Sequence, residues 1–400
     1  METILLQWLD MSIRWFHVIA GIAWIGSSFY FVALDLGLKP RDSLPEGASG
    51  EAWQVHGGGF YHLVKYMVAP AAMPDQLTWF KWEAYATWLS GMALMVVVYY
   101  MAAELYMIDS TIPDSSVKNV ILASVVQFVV ATGFYHIFCQ SRLRNHDAVL
   151  TLVLFIFLSA LAYLYTLGFS GRGAFMQMGA LIGTIMASNV FLVIIPNQRK
   201  VVASLLAGEE PDPALGRAAK QRSMHNNYLT LPVVFTMIGT HYPLAFAGPW
   251  NWLIISIVLI VGAVIRHFFN QRHKGEASPW WTWAVAAAGM AAMVWLSAQP
   301  AVEITEVEAK GEMDMAEVES IIASRCAMCH AAEPLWEGMA TAPKGVVLES
   351  QAQIRLYAEA IGLQAVHTRA MPPGNITEIP DEERRQLAVW IAAGAPGWEE

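Results

Sequence analysis

The chain has 400 residues, of which 56% are hydrophobic and 14% charged, with a mean hydropathy of +0.41. Soluble globular chains carry about a quarter charged residues, so an ordinary cytosolic enzyme, a disordered chain and a collagen-like chain are excluded. The net charge of −9 is uneven: residues 301–400 hold 7 Lys+Arg against 17 Asp+Glu, leaving 17 and 16 for the first 300. Two objects are expected, a nearly neutral apolar body and an acidic tail. Sixteen Trp fit a chain whose rings anchor at a bilayer interface. Three Cys are too few for a disulfide scaffold, and no basic stripe marks a nucleic-acid surface.

A membrane-spanning helix needs about 20 mostly apolar residues. Eight stretches qualify: 13–36, 84–107, 117–138, 148–169, 174–195, 228–243, 250–269 and 280–298. The sixth is the weakest, because it is short and carries Pro232 and His241. The first twelve residues hold Glu2 and Asp10 but no Lys or Arg, so the first span reads as a retained anchor. Loops 37–83, 139–147, 196–227 and 270–279 carry 4, 2, 5 and 2 Lys+Arg, against one, Arg172, in the four segments facing the other way. Positive loops stay cytoplasmic. Both termini are therefore expected outside, and in a Gram-negative host the tail is periplasmic and the body lies in the inner membrane. The stretch 57–68 reads as amphipathic, lying on or dipping into the cytoplasmic face.

In the tail, Cys326-Ala-Met-Cys329-His330 is the C-x-x-C-H pattern of covalent haem c attachment. Two thiols bond the haem vinyls and the adjacent His ligates the iron. Val318, Ile321 and Ile322 give an apolar helix face before the motif. Pro380 to Glu383 opens a second helix, whose face is Leu387, Trp390 and Ile391 and which ends at Gly394. Two such helices describe a class I cytochrome c-like domain. Met371, followed by two prolines, is the leading sixth ligand, with Met339 and His367 as rivals. The expected fold is all-α, an eight-helix transmembrane bundle over 1–299, an acidic linker over 300–313 and the cytochrome c domain over 314–400.

One span would suffice to tether a cytochrome, so the body needs another purpose. Ionisable side chains inside spans are costly and point to function. His17 and His241 fall near the outer face, and His136 and His267 near the inner face. These two levels could hold one or two haem b groups, or the four rings could be interfacial and structural. On the cytoplasmic side, residues from Trp53 to Glu83, with His62 and Lys65 among them, and Arg222, His225, Asn226, Asn227 and Tyr228 gather rings, amides and cations. That set suits a flat anionic heterocycle, or an ordinary aromatic belt.

The stretches "RWFHVIAGIAWIGSSFYF" (14–31), "GGGFYHLVKYMVAPAAMPDQLTWFKWEAY" (57–85), "RSMHNNYLTLPVVFTMIGTHYP" (222–243) and "CAMCH…MPPGN" resemble the bacterial membrane-bound urate oxidases with a C-terminal cytochrome c. The resemblance covers essentially the whole chain. It implies oxidation of urate to 5-hydroxyisourate in purine breakdown, with electrons passed to the haem c instead of to oxygen. The partners implied are urate, membrane lipid and a downstream electron acceptor. Within that reading His62 or His225 is the candidate base, Asn226 and Asn227 face the ring edge, and Lys65 or Arg222 balances its charge. If haem b is absent, the urate site moves to the outer face around Trp15, Trp24, Tyr242 and Trp250. Competing readings are a quinol-oxidising electron-transfer protein and a transporter with a redox-sensing tail.

Overall fold

The computed structural model describes residues 2–66, 74–305 and 314–397. The expected linker over 300–313 and the end of the 57–68 stretch fall partly outside the described residues. The first apolar stretch forms one helix, α1 (Glu2–Gly37), which begins well before the expected residue 13. Its large apolar side chains are largely exposed, as suits a helix facing lipid, where hydrocarbon replaces a protein partner.

The all-α expectation holds for most of the described residues and breaks at one place. Loop 37–83 carries an antiparallel hairpin of β1 (Ala48–His56) and β2 (Gly59–Tyr66). Gly57 and Gly58 both take positive φ in its two-residue turn, a conformation Gly adopts without a steric penalty. The Gly pair between Trp, Val, Phe and Tyr was the hairpin signal that the amphipathic reading passed over. The hairpin is tied down by ion pairs. Lys65 bonds Asp35 of α1, and the Glu51 carboxylate takes Arg41 at 2.9 Å and His62 at 2.7 Å. The hydrogen bond from His62 holds the Glu51 carboxyl below its usual 4.5.

The other expected spans fall on helical segments. These are α2 (Trp82–Leu94) with the wide π turn Met95–Tyr100, α3 (Val117–Gln140), α4 (Asp147–Gly168), α5 (Gly171–Leu206), α6 (Pro213–Gly239), α7 (Asn251–Lys274) and α8 (Trp281–Ser297). Helix starts follow local chemistry: Ser116, Ser170 and Asp212 accept hydrogen bonds from the free N–H groups of α3, α5 and α6. Among the described residues, five helices are long and apolar enough to cross a membrane, namely α1, α3, α4, α5 and α7, while α8 is apolar but shorter. The second expected span is divided by its π turn. The sixth shares its helix with a polar first half that includes Arg217, Lys220 and Arg222.

Helix α5 is the centre of the bundle. Phe175, Met178, Leu181, Ile182 and Ile185 on it are completely buried. Close crossings rest on small residues, as is usual for helices packing in lipid. A β-carbon on Gly179 would lie 2.9 Å from Thr236 Oγ1, and one on Gly262 of α7 would lie 2.5 Å from Pro232 Cδ.

The tail has its own core. Helix α9 (Met315–Arg325) buries Val318 and Ile322, and helix α10 (Asp381–Ala392) buries Leu387 and Trp390, all at 0% exposure. Arg325 joins the two helices through a bidentate pair with Glu383 at 2.8 and 2.9 Å. Both helices match the expected apolar faces, and Gly394 ends α10 at positive φ.

Candidate functional site

Two sites emerge, one inside the bundle and one where the tail meets it. The bundle site is built on α3, α5 and α6. On α6, Arg222, Asn226 and Thr230 recur every four residues and so share one buried face. Asn189 opens the π turn of α5 (Asn189–Ile194), a distortion frequent at functional sites. Its Nδ2 donates to Tyr135 OH at 2.9 Å and to Asn226 Oδ1 at 2.9 Å, while its Oδ1 accepts from Arg222 Nη1 at 3.3 Å. Asn226 Nδ2 donates to the Met186 carbonyl at 3.0 Å. Tyr135 OH meets His225 Nδ1 at 2.8 Å, and Cys139 Sγ lies 3.8 Å from the same nitrogen.

Charge makes this group unusual. The Arg222 guanidinium is 2% exposed, lies 5.0 Å from the centre of the Tyr135 ring and has no ion pair among the described residues. A buried cation held only by neutral groups is expensive. A planar anion carrying carbonyl and N–H edges would match it, because the guanidinium and the amides are planar donors and acceptors.

The expected residues do not all meet here. Arg222, His225 and Asn226 come together. Asn227 faces another way, since consecutive helix residues diverge by about 100°. Its Oδ1 accepts from Arg266 Nε at 3.3 Å and from Asn270 Nδ2 at 3.0 Å, with Arg266 stacked 3.8 Å over Phe29. That corrects the placement of Asn226 and Asn227 on one ring edge. His62 and Lys65 belong to the hairpin, where His62 stacks on Trp53 at 4.2 Å and bonds Glu51, and Lys65 bonds Asp35. Sequence reasoning missed Tyr135, Asn189, Arg266 and Asn270.

The four histidines assigned to haem b have separate surroundings. His17 Nδ1 is 3.0 Å from both the Thr87 carbonyl and Ser90 Oγ, and the ring abuts Gly91. His136 Nε2 is 3.1 Å from Ser188 Oγ, and His267 Nδ1 is 3.4 Å from Tyr228 OH. His241 lines the crevice described next.

The second site is a crevice of about 1280 Å³ between tail and bundle. The tail contributes Cys326, His330, Met371, Tyr357 and Ile361, and the bundle contributes Asp109, Arg172 and His241. Cys329 belongs to the same helical turn as His330 (Ala327–His330). His330 Nδ1 meets the Val346 carbonyl at 2.9 Å, which as a donor fixes the tautomer and leaves the Nε2 lone pair free for a metal. Of the sixth-ligand candidates, Met371 lines the crevice. His367 Nε2 instead meets the Ser297 carbonyl at 2.9 Å, and Met339 sits in the turn after Trp336. A thiol, an oriented imidazole and a thioether line one crevice of mixed polar and apolar walls, with the second thiol in the adjoining turn, a donor set that fits a covalent haem c.

A family model described as urate oxidase N-terminal matches residues 3–297. The chain belongs to the urate oxidase N-terminal family. No curated protein and no solved structure matches it. The family points to an oxidoreductase acting on urate. The matched region holds the whole polar centre and stops at the last residue of α8, before the tail.

Proposed function

We propose that this protein oxidises urate to 5-hydroxyisourate within an eight-span membrane domain and delivers the electrons to a haem c in its periplasmic tail. The observation that carries the reading is the crevice: Cys326, His330 and Met371 share one cavity with the outer end of a bundle from a urate oxidase family. Cys326 and Cys329 would bond the haem vinyls, and His330 and Met371 would take the iron. Bound there, a haem c accepts one electron at a time at a potential raised by thioether ligation.

The reaction adds the oxygen of one water to C5 of urate and releases two electrons and two protons. Arg222 binds the anionic ring, and the amides of Asn189 and Asn226 reach its carbonyl and N–H edges. His225 takes a ring proton, with Tyr135 OH on its Nδ1 fixing the imidazole's orientation. The surrounding apolar helices keep bulk water away from the electron-rich dianion. Asn227, His62 and Lys65 serve structure in this scheme.

The test is an anaerobic absorption spectrum of detergent-purified full-length protein before and after urate. Reduction of a covalent haem by urate without oxygen is expected. A haem that stays oxidised with urate and is reduced by a quinol would replace this reading with the quinol-oxidising one.

A further inference from the structure

The loop carrying Met371 is gripped from two sides. Inside the tail, Arg384 of α10 is 2% exposed. Its Nη1 donates to the carbonyls of Ala365 and Met371, the latter at 2.9 Å, and its Nη2 donates to Asn375 Oδ1 at 2.8 Å. From the bundle, Ser110 lies between α2 and α3. Its N–H donates to the Gly374 carbonyl at 2.8 Å and its hydroxyl to the Asn375 carbonyl at 2.7 Å. Gly374, at φ +55°, sits so close to the Ile108 carbonyl that a β-carbon would collide with it. The loop thus bridges the two cores, Ala370 packing against the bundle's and Met371 against the tail's.

The chemistry of the ligand explains why such a grip matters. A thioether is a neutral donor on a side chain with three rotatable bonds. Productive ligand geometry tolerates about 0.5 Å of error. The backbone under Met371 must therefore be fixed by its neighbours, and two of the bonds that hold residues 371–375 come from Arg384 and two from Ser110.

We infer that Arg384 and Ser110 are positioning residues for Met371, so that seating the tail on the bundle sets the sixth ligand of the haem. The inference rests on the haem c reading above. Electron acceptance by the tail is then tuned by its contact with the domain that supplies the electrons.

The test uses full-length protein with Ser110→Ala, Gly374→Ala, Arg384→Leu and Arg384→Lys. A haem stain on a denaturing gel comes first, and an unstained wild-type chain ends the haem c reading itself. On stained proteins, two quantities report the ligand: the red absorption band of an oxidised haem with sulfur ligation, and the midpoint potential. Gly374→Ala and Arg384→Leu are expected to lose the band and lower the potential, since Met ligation raises it. Ser110→Ala should move both partway, and Arg384→Lys should restore part of what Arg384→Leu loses. If Arg384→Leu fails to fold, Arg384→Lys decides for Arg384: a side chain that keeps the charge but not the fork should still weaken the band and lower the potential, and an unchanged band and potential there overturns its role. An unchanged band and potential in Ser110→Ala and Gly374→Ala overturns the bundle's part. The same result in Arg384→Leu overturns that of Arg384.

Discussion

Arg222→Met separates substrate binding from structure. Arg222 gives the folded chain little: one hydrogen bond of 3.3 Å to a neutral amide and a ring contact at 5.0 Å. Together these contribute about 2–5 kcal/mol. Against them stands the desolvation of a guanidinium that is 2% exposed and without an acid, several kcal/mol in a protein interior. The two terms nearly cancel, so replacing it with an unbranched apolar side chain should change stability little. Binding an anion is another matter. A hydrogen bond to a charged group contributes about 1.5–3 kcal/mol, which is about 10- to 150-fold in affinity. Urate consumption at low substrate should fall by that factor while the thermal midpoint in detergent holds. Full urate turnover in Arg222→Met would refute the assignment of Arg222 to the substrate. A large loss of stability would show instead that the guanidinium is a structural tie for Asn189.

Two further outcomes test the frame around the sites. Gly262→Ala places a methyl against Pro232, where a β-carbon would lie 2.5 Å from Cδ, so overpacking should cost about 1–3 kcal/mol. An unchanged midpoint on thermal unfolding would mean that α6 and α7 cross less tightly than described. The Glu51 carboxyl is held below its usual 4.5 by His62, so its stabilisation of the hairpin is complete above that value and lost as the pH falls through the lowered one. Amide exchange over residues 48–66, corrected for intrinsic rates, should show protection disappearing in strong acid. In Glu51→Gln that acid-dependent loss should be absent, and a loss of the same size there would refute the role of Glu51.

What was legible in the sequence was written locally. Apolar runs of about 20 residues locate α1 to α8 because each span must satisfy its own backbone. The C-x-x-C-H pattern and the faces of α9 and α10 are likewise short-range signals. What escaped depended on contacts distant in sequence. Asn226 and Asn227 look equivalent as neighbours, but one faces α5 and the other α7, and only the packed bundle separates them. Asn189 stood in an apolar run and Arg266 within a span, and both were readable as costly polar groups. Their partners, Tyr135 and Asn227, lie 54 and 39 residues away. The hairpin was lost for a different reason. Its Gly-Gly turn sat in a loop already read as surface, so the β signal was never weighed against it.

Distance decides how electrons travel. Tyr135 stands 18 residues beyond the start of α3 at Val117, which at 1.5 Å per residue puts it about 27 Å along the helix. The crevice lies at the starting end, beside the Ser110 connection. A single tunnelling step over such a span is far too slow for metabolism, so the proposed transfer from the bundle site to the tail requires relays. The four histidines expected near the two faces, His136 and His267 on one and His17 and His241 on the other, are the residues whose substitution tests for such relays. His17, His136 and His267 each keep one ring nitrogen without a protein partner among the described residues. A pyridine haemochrome assay of purified protein is therefore expected to show extractable haem b beside one covalent haem c. His136→Ala should lower the haem b content and slow urate-driven reduction of the tail without changing its covalent haem stain. Covalent haem alone, with urate still reducing it quickly, would mean that urate is oxidised near the outer face, and the Arg222 centre would lose its substrate.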